Sequence, residues 1–195
     1  MTPEDWQERA RALLVERGAE SLKHPGGTLL AHLRRVTRLL RAWGASNDLQ
    51  AAGYCHACYG TDGFPFPLMG LAERNLLADA IGECAEEAVY LYSSCDRRAL
   101  YPRLRQAGPL LLRDRFNGQT LLVKALDASA FVELTAANEL DLVLVNPEEA
   151  CRWAGDFYGL LLGTRERLSK AALDAWSHAM TTLTESQRRA AHNDG

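Results

Sequence analysis

The sequence has no uninterrupted apolar run that approaches the roughly 20 residues a membrane-spanning helix needs. It also has little excess charge, because 22 Lys and Arg face 25 Asp and Glu, which gives a formal net charge of −3 at pH 7. Proteins that bind nucleic acid neutralise phosphates with a clear surplus of Lys and Arg. We therefore expect neither nucleic acid nor a membrane as a partner.

Paired cysteines, targeting segments and linkers are lacking as well. The five cysteines make an odd number, and a chain of 195 residues can bury enough apolar surface to fold without disulfides. The first residues are acidic and lack the basic and apolar regions of a secretory signal. No repeat, low-complexity tract or Ser/Gly linker divides the chain. We expect one domain over residues 1–195, with free thiols, in the cytoplasm.

What the sequence does contain is a series of amphipathic helical patterns separated by Gly and Pro. The clearest, at about residues 28–43, has Leu, Val and Trp at helical spacing and arginines 34, 35, 38 and 41 on the opposite arc. Residues 110–116 and 120–123 flank Asn117-Gly118, a dipeptide typical of a two-residue type I′ turn. The expected fold class is all-α, a helical bundle with one inserted β-hairpin.

Three histidines lie close together in the sequence, and they are the first candidates for a site. His32 and His56 fall on the inward faces of two consecutive predicted helices, and His24 precedes the first of these helices in a loop. Imidazole is the commonest metal ligand and the usual general base near neutral pH. The alternative is that each histidine is a hydrogen-bonded core residue without a chemical role.

One amide joins these histidines as a candidate. Asn138 shares a face of the predicted helix 127–144 with apolar residues, so its side chain should point inward. A buried amide needs partners for its donors and its acceptor, and a polar pocket that contains His32 and His56 would provide them. The alternative is that Asn138 ties two helices together.

The pattern of these segments resembles the HD-domain metal-dependent phosphohydrolases. Residues 32–40 (HLRRVTRLL) and 51–56 (AAGYCH) look like the opening of an HD domain, residues 82–89 (GECAEEAV) are most similar to the alarmone hydrolases, and residues 134–141 (LTAANELD) resemble the helix that brings the final Asp. The resemblance covers about residues 22–144 and implies an HD-like helical bundle. The whole histidine pattern looks most like an uncharacterised bacterial family of HD-related proteins.

The sequence departs from the HD pattern at two metal-binding positions. Ala57 stands where the superfamily has the Asp of its His-Asp pair, and Asn138 aligns with the final Asp. Because Ala cannot coordinate a metal and an amide is a poor substitute for a carboxylate, a two-metal phosphohydrolase site is not expected. What remains is a degenerate single-metal site of His24, His32 and His56, which would suit Zn²⁺ or Fe²⁺ with one position open.

Further residues could complete the chemistry of such a site. Asp62 and Glu86 are carboxylates in the segments that follow His56, and either could be a base or a fourth ligand. Tyr59 or Asn138 could orient a substrate in a metal-free version with His56 as the general base. Each carboxylate could equally be a surface cap or a solvated charge.

Two classes of function follow from this pattern. The first is a small-molecule enzyme, hydrolytic or oxidative, whose substrate enters beneath the loop of residues 64–69. The second is a non-catalytic protein that has lost the HD metal site and kept a pocket for a small ligand. A third alternative is a structural dimerisation domain, so a homodimer is left open.

Two other motifs are better explained by packing or by a solvated surface than by a functional site. Cys55 and Cys58 form a C-x-x-C motif, but no second pair at zinc-finger spacing exists, so both should simply pack. The arginines of the helix at residues 28–43 could bind a phosphate-bearing partner, yet a charged outer face is the normal complement of an amphipathic helix.

Overall fold

The computed structural model describes residues 3–104 and 109–193, and this part of the chain is mostly α-helical. Its helices are α1 (Pro3–Glu16), α2 (Leu29–Ala42), α3 (Asn47–Cys55), α4 (Arg74–Ile81), α5 (Glu83–Ser94), α6 (Arg97–Leu100), α7 (Ala125–Val145), α8 (Pro147–Ala150), α9 (Ala154–Leu162) and α10 (Lys170–Asn193). Short 3-10 turns lie at Leu71–Glu73, Tyr101–Arg103 and Arg165–Arg167. The strands are β1 (Lys23–His24), β2 (Gly27–Thr28), β3 (Leu110–Arg113) and β4 (Thr120–Val123).

The helix boundaries follow local chemistry that can be seen in the sequence. The side chain of Thr28 accepts a hydrogen bond from the backbone N–H of Ala31 and so caps α2, and Ser46 caps α3 in the same way through Leu49. Gly82 has φ 92° and separates α4 from α5, because this conformation is easy only for glycine. Gly82 therefore marks the boundary between these two helices.

The β-hairpin of β3 and β4 is present, but its predicted turn type is wrong. In a type I′ turn both central residues have positive φ, and here only Gly118 does (φ 76°). The connection is a longer loop, residues 114–119, in which the carboxylate of Asp114 accepts hydrogen bonds from the backbone N–H of Phe116 and the side chain of Asn117. The hydroxyl of Tyr90 on α5 also donates to Asp114, so a long-range contact holds this loop.

Two further details differ from the sequence expectation. In the described residues a second antiparallel pair exists, because β1 and β2 pair Lys23 with Thr28 and His24 with Gly27. The sequence of residues 147–162 favours one helix, but the structure divides this segment into α8 and α9 by a turn at residues 151–153. This short strand pair also fixes His24 beside α2, whereas the sequence placed His24 in a loop.

The core is arranged around α7, which is buried on almost every side between residues 131 and 141. This helix packs against α2, α5 and α10. The predicted inward direction of Asn138 is confirmed, since only 7% of the residue is exposed. Several polar residues of α7 are also buried, so each needs a hydrogen-bond partner within the fold.

Helices α2 and α3 pack closely at Gly53. A Cβ atom at this position would lie 2.4 Å from Cδ1 of Leu40, so only glycine lets the two helices approach this far. The contact places the end of α3, and with it His56, against the face of α2 that carries His32. In the part of the chain described here, no helix is both long and apolar enough to cross a membrane.

Candidate functional site

The predicted histidines meet in one pocket of about 260 Å³ where α2, the end of α3, α6 and α7 come together. Its wall is formed by residues of β1, α2, α6 and α7, of the segment after α3 and of the turn before α9: His24, Leu29, His32, His56, Ala57, Thr61, Gly63, Phe64, Arg97, Asn138, Glu139, Leu142 and Trp153. Phe64 belongs to the loop that was expected to cover the site, and it contacts the ring of His24 edge-on. We call this cavity the histidine pocket.

His32 is held on one side by a buried ion-pair network. Its Nδ1 lies 2.7 Å from Oδ2 of Asp141, and Arg35 donates to both oxygens of the same carboxylate at 2.6 and 3.0 Å. Burial acts to raise the pKa of Asp141, but the hydrogen bonds from His32 and Arg35 hold it below its ordinary value. Asp141 is therefore an ionised acceptor, and Nδ1 of His32 must carry a proton.

The other ring nitrogen of His32 is fixed by a second chain of contacts. Nε2 lies 3.1 Å from Oδ1 of Asn138, whose Nδ2 donates to Glu139, and Glu139 in turn accepts from Arg97. Turning the amide over would direct its oxygen at the Glu139 carboxylate, so the amide oxygen must face His32. An acceptor oxygen therefore lies at each ring nitrogen of His32, and this geometry favours the imidazolium form of the ring.

His56 lies beside this cation and is electrically neutral. Its Nδ1 donates to the backbone carbonyl of Gly53 at 2.8 Å, which leaves the lone pair on Nε2. Its ring centroid is 5.2 Å from that of His32. Burial, and next the positive charge of His32, lower the pKa of His56 to about 3. Nε2 of His56 makes no hydrogen bond within the described chain, so its lone pair is available to a ligand.

His24 covers the other face of His32. The two rings are stacked with centroids 4.0 Å apart and an angle of 22° between their planes. Burial and the charge of His32 lower the pKa of His24 to about 4. The pocket therefore holds one charged imidazole between two neutral ones.

These three histidines are close together but are not arranged as metal ligands. A ligating imidazole needs a free lone pair, and both nitrogens of His32 face side-chain oxygens within hydrogen-bond distance. The stacked rings of His24 and His32 also run parallel, so their nitrogens do not converge on one point. Within residues 3–104 and 109–193, no group of three or more His, Cys, Asp or Glu side chains could hold a metal ion. The three-histidine metal site stays a prediction that this geometry does not support.

Two of the expected catalytic residues form a separate cluster outside the histidine pocket. The hydroxyl of Tyr59 donates to Glu86 at 2.8 Å, and Arg74 donates to both oxygens of that carboxylate at 2.7 Å. Burial and the contact with Glu86 raise the pKa of Tyr59. Neither Tyr59 nor Glu86 lines the histidine pocket, so this cluster ties the start of α4 to α5 and the end of α3.

Asp62 also stays out of the pocket, although its neighbours Thr61 and Gly63 line it. Its carboxylate is exposed and accepts a hydrogen bond of 3.1 Å from the backbone N–H of Arg97, the first residue of α6. Of the candidates proposed from the sequence, His24, His32, His56 and Asn138 are brought together. Tyr59, Glu86 and Asp62 are not part of this group.

The structure adds four charged residues that sequence reasoning did not place at the site: Arg35, Arg97, Glu139 and Asp141. Arg35 was expected on the solvated arc of α2, but it lies one turn after His32 and bends toward α7. Asp141 is the one charged residue in the segment 140–145 (LDLVLV), one turn after Asn138, and this position among apolar residues is the signal that could have identified it. No comparable local signal marks Arg97, which reaches the pocket from the short helix α6.

Comparison with known proteins gives one match. A family model described as a domain of unknown function (DUF6817) matches residues 13–97. No curated protein and no solved structure matches the chain. The matched segment contains all three pocket histidines together with Arg35 and Arg97, whereas Asn138, Glu139 and Asp141 lie beyond it on α7.

Proposed function

We propose that the histidine pocket binds a small anionic molecule and performs acid–base chemistry on it, with His56 as the proton acceptor. The observation that carries this proposal is the buried pair of unlike imidazoles, a charged His32 and a neutral His56 with a free Nε2, whose rings lie 5.2 Å apart. Environments that separate the protonation of two neighbouring groups are characteristic of acid–base sites.

The balance of charge supports an anion as the ligand. In the described residues, the side chains of His32, Arg35 and Arg97 are paired with two carboxylates, those of Asp141 and Glu139. A surplus positive charge in a buried, weakly screened pocket attracts a carboxylate or a phosphate. The volume of about 260 Å³ is just below the range of about 300–1,000 Å³ that holds drug-sized ligands, which favours a small metabolite.

Binding of an anion would also make His56 a better base. Its pKa of about 3 leaves it neutral but weakly basic, and a negative charge placed nearby favours the imidazolium form and raises that pKa. His56 would then take a proton from the bound molecule at Nε2 while Nδ1–H stays on the carbonyl of Gly53. A single-metal form with Zn²⁺ or Fe²⁺ has less support, because both ring nitrogens of His32 face side-chain oxygens.

A nuclear magnetic resonance titration of the histidine rings tests the binding step. We expect a panel of small mono- and dicarboxylates to contain compounds that shift the signals of His56 and raise its pKa by at least about one unit. The control is His178 on α10, which is exposed and should not respond. If no compound in the carboxylate and phosphate panels moves the His56 signals, the proposal that this pocket binds an anion is wrong.

The second candidate function is binding without chemistry. Ala57 and Asn138 favour it, because neither position carries the carboxylate of the HD pattern. Proton abstraction from a carbon next to a carbonyl can be followed in deuterium oxide as loss of that C–H signal. Exchange by the wild type but not by His56→Asn would support the enzyme, and compounds that bind without exchange or turnover would favour the binding protein.

A further inference from the structure

A second cavity, separate from the histidine pocket, lies on the opposite side of α2. It has a volume of about 510 Å³ and is built mainly by α1 and α2, with Tyr54 from α3. Four arginines line it: Arg11 of α1 and Arg34, Arg38 and Arg41 of α2. We call this cavity the arginine groove.

The arginine groove concentrates positive charge in a chain whose net charge is −3. Glu8 is the one acidic residue among the described residues that line it. Arg34 and Arg38 make neither a hydrogen bond nor an ion pair within the described chain, and Arg11 reaches Glu20 only at 3.8 Å with both side chains half exposed. Most of this positive charge is therefore uncompensated.

The spacing of the arginines argues against an ordinary solvated face. Arg34, Arg38 and Arg41 follow one another at i+4 and i+3, so neighbouring charges lie on successive turns, about 5–6 Å apart at Cβ. Like charges at this spacing destabilise a helix, and a solvated helix usually interleaves acidic residues among them. Helix α2 contains no acidic residue.

The floor of the arginine groove is rigid and apolar. Trp6 and Tyr54 are 2% and 6% exposed, and their rings contact each other edge-on at 6.1 Å. Gln50 accepts a hydrogen bond of 3.0 Å from Nε of Arg41, which orients that guanidinium. The indole N–H of Trp6 is buried beneath this surface and has no hydrogen-bond partner in the described residues.

We propose that the arginine groove binds a soluble small molecule that carries two or more linked phosphate groups. Guanidinium groups match phosphate oxygens with paired N–H donors, and several arginines in a row suit a ligand whose charges are spaced along a chain. A concave site of this volume fits a small molecule rather than a duplex. The proposal does not depend on the chemistry of the histidine pocket.

Isothermal titration calorimetry with inorganic pyrophosphate and tripolyphosphate tests the proposal on the full-length chain. We expect both probes to bind the wild type, tripolyphosphate more tightly, and Arg34→Gln/Arg38→Gln to weaken binding at least about tenfold. The matched control is Arg188→Gln/Arg189→Gln, which removes the same charge from exposed positions of α10 and should bind as the wild type does.

Three outcomes would overturn the proposal. They are an absence of binding by the wild type, equal weakening in both double variants, and binding to phosphatidylglycerol vesicles without binding to either soluble probe. The first would leave a solvated arginine face, the second a diffuse charge effect, and the third a lipid surface as the ligand. If Arg34→Gln/Arg38→Gln does not fold by circular dichroism, Arg38→Gln alone provides the same comparison.

Discussion

His32 and Asp141 lie 109 residues apart in the chain and meet at 2.7 Å across the contact between α2 and α7. Both side chains are almost completely buried, and Arg35 completes the pair from the rim of the pocket. A buried charge is tolerated only when it is paired and hydrogen-bonded. The stability of the helical bundle therefore depends on the protonation state of the histidine pocket.

Asp141→Asn should be strongly destabilising for this reason. The change keeps the shape of the side chain but leaves His32 and Arg35 without their negative partner, and breaking a buried ion pair typically costs about 3–5 kcal/mol. Urea denaturation should show a loss of about 3 kcal/mol in the free energy of unfolding. Asp174→Asn is the control, because its pair with Lys170 is exposed and should contribute less than about 1 kcal/mol. Equal effects of the two changes would contradict the assignment of His32 as a charged group.

The stability of the protein should fall as the pH is lowered below about 6.5. His56 has a pKa of about 3 in the folded chain, so between these pH values the unfolded chain binds a proton that the folded chain does not. This difference removes about 2 kcal/mol of stability from His56 alone by about pH 5. His24, with its pKa lowered to about 4, acts in the same direction.

Equilibrium unfolding at a series of pH values measures this effect. His56→Asn keeps a donor for the carbonyl of Gly53 but cannot be protonated, so its profile should be flatter than that of the wild type. His178→Asn on α10 should leave the profile unchanged, since that side chain is exposed. A wild-type profile that stays level between about pH 7 and pH 5 would show that His56 remains accessible to solvent.

Periodicity was sufficient to predict most of the long helices and the inward direction of His32 and Asn138. It could not show which elements face each other, so the partners of His32 on α7 were missed. Arg35 and Asp141 each lie three residues after a correctly predicted pocket residue, on nearly the same helical face. A charged side chain at that spacing can point inward. Whether it does so depends on the residues of the opposing helix, which the local sequence does not show.

The loop of residues 114–119 is a second place where the local sequence did not predict the structure. Asn117-Gly118 favours a tight turn, but Asp114 accepts hydrogen bonds from both the loop and Tyr90, and this long-range contact selects a wider loop. Local propensity was overridden by a residue from α5 that no local pattern could reveal. The separation of Tyr59 and Glu86 from the histidine pocket could not be predicted for the same reason, because it depends on the Arg74 side chain.

The metal content of the protein distinguishes the arrangement described here from the single-metal site predicted from sequence. Because both nitrogens of His32 face side-chain oxygens within hydrogen-bond distance, we expect no stoichiometric Zn or Fe in protein purified without a tag or chelator. Adding Zn²⁺, Mn²⁺ or Fe²⁺ should not raise the unfolding temperature, since only a ligand of the folded state does so. One equivalent of metal in the wild type that is absent from His32→Ala/His56→Ala would instead support the three-histidine metal site.

Gly53→Ala should be destabilising because α2 and α3 have no room for a side chain at this contact. The new Cβ would lie 2.4 Å from Cδ1 of Leu40, a fully buried residue that cannot move away freely. Overpacking of this kind costs about 1–3 kcal/mol, which thermal or urea unfolding can measure. Gly155→Ala on α9 is the matched control, since no atom lies within 4 Å of its added Cβ, and a helical Gly-to-Ala change there should be neutral or stabilising by up to about 1 kcal/mol.

A double-mutant cycle shows whether the loss comes from this contact. In a Leu40→Ala background the space beside residue 53 is open, so adding Gly53→Ala should cost little or nothing, and the two changes should couple by at least about 1 kcal/mol. Because the end of α3 carries His56, the overpacked variant should also change the His56 ring signals. Additive effects of the two substitutions, with those signals unmoved, would show that the approach of α3 to α2 does not position His56.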